Sequence, residues 1–181
     1  MILADVELED FKQFHGVHQF TPPATGIVGI LGDNGAGKTT LFQAVEWCLY
    51  QPRELELSDI PTRGQVARPR VKVTLHDPAE DVRFVVERRL EAKRGGYQAT
   101  AEIYREDQPD TRIVHGSRQV SDYVERRLLG LSHRAFVTTF FTRQKELSFF
   151  GDLKDTDRRR EVGKLLGFDT IRAAQKRIAD D

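Results

Sequence analysis

Alternation of apolar and polar side chains organises most of this chain. Ile2, Ala4, Val6 and Leu8 alternate with Leu3, Asp5, Glu7 and Glu9, a period of two that predicts a half-buried strand of edge type. Asp10 to Gly16 reads as a turn, and Val17 to Phe20 as the returning antiparallel strand. The prolines of Thr21-Pro22-Pro23-Ala24-Thr25-Gly26 place a loop there, because proline cannot continue a central strand. Ile27, Val28, Ile30 and Leu31 then form an apolar run within Gly26–Leu31, the pattern of a short strand buried on both faces. From Lys38 the period changes to that of a helix, with Leu41, Val45, Cys48 and Leu49 on one side as far as about Tyr50. Pro52 ends it by disfavouring a helical conformation at Gln51.

A connector rich in Pro, Arg and Gly follows over residues 51–69. Alternation then returns in Val71, Val73 and Leu75, in Val82 to Leu90, in Tyr97 to Arg105 and in a short stretch Arg112 to His115. The turns between them are Asp77–Asp81, Arg94–Gly96 and Glu106–Asp110. This predicts an antiparallel meander solvated on one side. Beyond Gly116 the helical period resumes: Ser117 is a candidate N-cap for Val120, Val124, Leu128 and Leu129, with Gly130 as the stop. Ser132 is a candidate cap for a second helix carrying Ala135, Phe136, Thr139 and Phe140. A polar interruption, Thr142 to Leu147, separates these from a charged helical stretch that starts at Asp155, breaks at Leu165-Leu166-Gly167-Phe168 and resumes to Asp181 on the thin stripe Ile171, Ala174, Ile178. The pattern divides the chain into a body, 1–154, and the start of a coiled-coil helix, 155–181.

Composition changes this picture little. The 181 residues suffice for one domain with a core, and 31% are charged, above the globular average. The formal net charge is zero, so any DNA contact has to come from local basic patches. Candidates are Arg68, Arg70, Lys72, Arg88, Arg89, Lys93 and Arg94 on the meander and Arg158 to Arg160 near the coil. Against this, nearby Glu and Asp balance the same faces. The single cysteine, Cys48, cannot form an intrachain disulfide and reads as a small buried residue, which fits a reducing, cytoplasmic compartment. No apolar run approaches a membrane span, and the N-terminus lacks the basic region of a signal peptide. His15 and His18 lack further ligands nearby and read as solvated turn residues.

The candidate chemistry sits between the apolar run and the helix. Gly32-Asp33-Asn34-Gly35-Ala36-Gly37-Lys38-Thr39 matches G-x-x-x-x-G-K-[ST] at every fixed position. Glycines let backbone N–H groups approach phosphate oxygens, and the helix N-terminus adds unpaired N–H groups and a positive dipole end. Lys38 supplies an ammonium for the β- and γ-phosphates, and Thr39 a hydroxyl for Mg²⁺. Phosphate-loop enzymes also use an apolar strand ending in an acid, and no run of four apolar residues ending that way follows residue 50. The chain reads as a nucleotide-binding piece whose hydrolytic half lies elsewhere.

Four stretches together resemble the N-terminal head segment of SbcC-type ATPases, relatives of the structural-maintenance-of-chromosomes proteins among ABC-type ATPases. They are Leu8-Glu9-Asp10-Phe11-Lys12-Gln13-Phe14, Gly32 to Thr40 with Leu41, Ala44 and Leu49-Tyr50, Thr142-Arg143-Gln144-Lys145-Glu146-Leu147, and Arg158-Arg159-Arg160 to Phe168. The resemblance implies an α/β fold: an ABC-type ATPase head half-domain with a P-loop strand-helix core, an antiparallel β-meander and a helical lobe leading into a coiled coil. It implies that Asn34, Gly35, Ala36, Gly37, Lys38, Thr39 and Thr40 hold the phosphates of ATP, and that Thr39 and Gln144 serve Mg²⁺. Lys38 and Gln144 become the catalytic candidates, and Lys12, Gln13 and, in the loosely aligned connector, Thr62, Arg63 and Gly64 line the base and ribose. The implied partners are a C-terminal segment of the same ATPase carrying the acidic strand and signature motif, a second copy of the head, an SbcD-type nuclease, and DNA. No membrane partner is implied, and the location is cytoplasmic and nucleoid-associated. Other readings stay open: the head of another SMC- or RecF-like or restriction-associated ATPase, a non-catalytic DNA tether, or a small-molecule kinase, against which the meander argues.

Overall fold

The structure is a computed structural model that describes residues 1–62 and 68–140. The chain divides into two compact units, Met1–Gly130 and Leu131–Asp181. The first is built on one six-stranded sheet of order β2-β1-β3-β4-β5-β6. Its strands are β1 (Ile2–Phe11), β2 (Phe14–Phe20), β3 (Arg70–Asp77), β4 (Val82–Lys93), β5 (Gly96–Arg105) and β6 (Gln108–His115), and every neighbouring pair is antiparallel.

The alternation read from the sequence sets the two faces. Val6 opposes Val73, which opposes Val86, which opposes Ile103, and all four are buried. Helix α1 (Lys38–Tyr50) packs on β1, β3 and β4, and α2 (Ser117–Tyr123) on β5, β6 and α1. The opposite face carries charges in cross-strand pairs. Arg70 meets Glu7 at 2.9 Å and Glu9 at 3.0 Å, and Arg112 meets Glu102 at 2.6 Å, while Arg89 meets Glu87 of its own strand at 2.5 Å. The cross-strand pairs satisfy one another across the strands.

Two expectations about strands change. β1 lies between β2 and β3 rather than at an edge; alternation reports one wet face, not the number of neighbours. Residues 27–31 form no strand. Ile27 is 101% and Leu31 95% exposed, and Val28 is exposed too. A strand meant to be buried on both faces needs pairing partners, and no described strand pairs with this run.

α1 ends as the sequence indicates. Gln51 takes a left-handed conformation, φ 49°, and donates its N–H to Trp47 O at 3.0 Å; Pro52 follows. Cys48 is fully buried, its Sγ 3.3 Å from Val71 O and 3.2 Å from Val86 O, and burial pushes its thiol up to about 12. Val120, Val124 and Leu128 line the buried side of α2 and of the π-helical turn Val124–Leu128 that continues it. Ser117 is not the cap of α2: Gly116 holds that position, and the serine hydroxyl is engaged elsewhere.

In the second unit the structure describes α3 (His133–Phe140). Its cap is as expected, with Ala135 N–H donating to Ser132 Oγ at 3.2 Å. The predicted coiled-coil start and Arg158 to Arg160 lie outside the described residues.

Candidate functional site

The glycine loop is held from below by the β1–β2 turn. Lys12 adopts φ 54° there, and its N–H donates to Ile60 O at 2.7 Å while Thr62 N–H donates to Asp10 O at 3.1 Å. Thr62 Oγ1 also donates to Phe14 O at 3.1 Å. The turn is thus clamped by the connector, and its side chains reach α1. Lys12 Nζ donates to Gln43 Oε1 at 2.9 Å, and Thr40 Oγ1 to Gln13 Oε1 at 2.9 Å. Burial holds the Lys12 ammonium below its usual range, with Asp59 and Glu46 opposing that shift.

Gly37 is where loop and turn meet. It has φ 97°, and a Cβ there would lie 2.8 Å from the Phe14 ring and 3.1 Å from Gln13 Nε2. Both the conformation and the space demand glycine. Gly37→Ala is expected to cost about 2–4 kcal/mol of stability through backbone strain and overpacking, read as a lowered melting temperature with a parallel loss of nucleotide affinity. An unchanged melting temperature would show that Phe14 yields freely.

Above Gly37 the start of α1 faces outward. Its first intrahelical bond runs from Leu41 N–H to Gly37 O at 3.0 Å, so the preceding N–H groups have no acceptor within the helix. No side chain caps them and no acidic residue occupies the first turn. Asn34, Gly35, Ala36 and Thr39 are exposed around this end, Lys38 is partly so, and Thr40 is buried. Lys38 Nζ donates to Gly32 O at 2.5 Å and Asp33 O at 2.8 Å; its ammonium lies along the loop, folded back on the loop's own carbonyls. Uncapped N–H groups, a lysine and a free Thr39 hydroxyl fit a triphosphate with its Mg²⁺. Among the described residues no group of three or more His, Cys, Asp or Glu side chains could hold a metal.

The structure therefore brings Lys12, Gln13, Gly37, Lys38, Thr40 and Thr62 to one end of α1. Arg63, Gly64 and Gln144 lie outside the described residues. Sequence reasoning missed Phe14, whose ring underlies Gly37, and Gln43, the partner of Lys12. Gln43 lies one turn along α1 from Thr39 and Thr40, a spacing that could have flagged it.

The expected basic surface does not survive intact. Arg88 is fully buried: it alternates in phase with Val86 and Leu90, on the apolar face. Arg70, Lys72, Arg89 and Lys93 each lie beside a carboxylate. Arg68 and Arg94 are exposed and form no ion pair among the described residues.

A glycine loop opening a helix that lies across an antiparallel sheet has the α/β architecture of ATPase heads. The family relationship agrees. The AAA domain family AAA_23 matches residues 5–180, and the chain belongs to it. The SbcC-type resemblance is borne out by its relatives. The chain is 27% identical over 182 residues to the DNA double-strand break repair Rad50 ATPase of Methanocaldococcus jannaschii, covering 99% of this chain and 17% of that protein. It is 29% identical over 161 residues to the protein of the same description from Thermoplasma volcanium, covering 87% of this chain and 17% of that one. The chain thus spans about a sixth of the length of these relatives. Among solved structures it is similar to an SMC ATPase studied for ATP-driven dimerisation and DNA-stimulated activation, with a TM-score of 0.66 at 17% identity over 90% of this chain and 98% of that one. That likeness bears out the α/β head fold. No helix among the described residues is long and apolar enough to cross a membrane.

Proposed function

We propose that this chain is the ATP-binding segment of a DNA double-strand-break repair ATPase, and that a C-terminal segment of the same ATPase completes it. The observation that carries this reading is the uncapped start of α1 beside an exposed apolar run, Ile27 to Leu31: a phosphate cradle whose adjoining apolar run pairs with no described strand. Asn34 to Thr40 hold the phosphates, with the Lys38 ammonium leaving the loop carbonyls for the β- and γ-phosphates. Thr39 and Gln144 hold Mg²⁺, which supplies charge neutralisation at the γ-phosphate when bound. Gln144 also orients the attacking water. Lys12, Gln13, Thr62, Arg63 and Gly64 line the base and ribose.

Hydrolysis then needs an acidic strand from the C-terminal segment and a signature motif from a second head. ATP joins two heads, hydrolysis releases them, and the cycle gates an SbcD-type nuclease on DNA in the cytoplasm, at the nucleoid. The DNA-facing charge is carried by the exposed Arg68 and Arg94, which form no ion pair among the described residues, rather than by the paired arginines of the sheet. The test is turnover by residues 1–181 with and without the C-terminal segment. ATP·Mg²⁺ binding by both, with turnover at least ~100-fold higher for the pair, is the expected outcome for a missing electrostatic stabiliser. Strong turnover by residues 1–181 alone would overturn the split-head reading.

A further inference from the structure

Arg88 plays no part in the phosphate cradle, and no carboxylate pairs with it among the described residues. Its side chain has zero exposure. Nε donates to Cys48 O at 2.9 Å, one Nη to Gln51 Oε1 at 2.8 Å and to the Ser117 hydroxyl and carbonyl, and the other Nη to Ser121 Oγ at 3.0 Å. Its guanidinium carbon lies 6.0 Å from the Trp47 ring. Ser121 Oγ donates in turn to Tyr50 O at 3.2 Å, and Ser117 Oγ to Gln51 Oε1. Burial depresses the Arg88 guanidinium to about 10.

The acceptors belong to two helices. Cys48, Tyr50 and Gln51 form the C-terminal end of α1, and Ser117 and Ser121 lie on α2. The last carbonyls of a helix lack intrahelical donors and carry its negative dipole end. α1 has no basic residue in its own last turn, so Arg88 brings the positive charge from β4. A charge buried this deeply is a poor source of net stability; what it supplies is a defined geometry. Its planar fork fixes several acceptors at once, which a point charge cannot do.

α1 starts in the phosphate loop, and Arg88 grips its far end. A packed helix moves as a unit rather than deforming continuously. We propose that Arg88 is a positioning residue that ties α1 to α2, so that ATP arriving at the Gly32–Thr39 loop shifts both helices as one body. This rests on the ATP-binding reading above.

The experiment uses the full-length protein. Ser117→Ala with Ser121→Ala removes both hydroxyl acceptors on α2, leaving only the Ser117 carbonyl, and keeps Arg88; Arg88→Lys keeps a charge and removes the fork. Nucleotide affinity is measured with a fluorescent ATP analogue, and hydrogen exchange of residues 117–128 with and without ATP·Mg²⁺. In the wild type, ATP is expected to slow exchange across 117–128 by about 5-fold or more. Both variants are expected to bind nucleotide within about twofold of the wild type and to lose that response. A variant that keeps the response overturns the proposal, as does a wild type that binds ATP without responding. If both variants lose binding together with cooperative melting, Arg88 supports stability instead and the coupling role falls. Failure of the wild type to bind nucleotide would overturn the ATP reading itself, and the coupling with it.

Discussion

Lys38→Ala weakens ATP binding by at least ~100-fold while leaving the fold intact. Each hydrogen bond from an ammonium to a charged phosphate is worth about 1.5–3 kcal/mol, and in the proposed complex Lys38 makes two or more of them with the β- and γ-phosphates. Losing about 3 kcal/mol corresponds to roughly two decades in affinity. What Lys38 loses in the unliganded chain is small: its present partners, Gly32 O and Asp33 O, lie on an exposed loop and can turn to water. Calorimetric titration with ATP·Mg²⁺ beside a melting curve checks both halves. A variant that binds within a few-fold of the wild type would remove the glycine loop from the nucleotide site.

The second large effect concerns partnership rather than ligand. Ile27→Asp with Leu31→Asp is expected to abolish association with the C-terminal segment and to leave the melting temperature of the isolated chain unchanged. Both side chains are exposed in this chain, and substitutions at such positions usually stay within ±0.5 kcal/mol. In a completed sheet each would bury its side chain for about 1.5–3 kcal/mol. The pair therefore removes about 3–6 kcal/mol before the cost of burying two carboxylates, at least a hundredfold in affinity. Co-purification and titration of the two segments measure it. Tight association by the double variant would mean that the 27–31 run is not the joining strand.

How much of this was legible follows from what a pattern encodes. The period of two located β1 to β6, and the change of period located α1, because burial on one face leaves that trace directly. The same trace carries no information about which chain supplies a partner. Ile27 to Leu31 reads as a buried strand by its apolar run alone, and the structure leaves that run exposed and without strand geometry. Arg88 illustrates a different limit. Its charge argued for a wet surface, whereas its phase with Val86 and Leu90 argued for the core, and phase won because two helices offered it neutral oxygens. Ser117 looked like a cap by the same local logic, and its hydroxyl was taken by Arg88 and Gln51, which no local rule contains. The glycine loop stood out as a motif, since each of its residue types answers one requirement of phosphate. Its support by Phe14 and Gln43 was not, because those contacts join segments far apart in the chain.

Cys48 lends the molecule a practical property. It is the single thiol in the sequence, it has no exposed surface, and its thiolate is suppressed by burial. Maleimides and other probes that attack thiolates need both access and ionisation. A cysteine introduced on the surface therefore competes with nothing native, and the unaltered background can carry a site-specific label for watching α1 and α2 as nucleotide comes and goes.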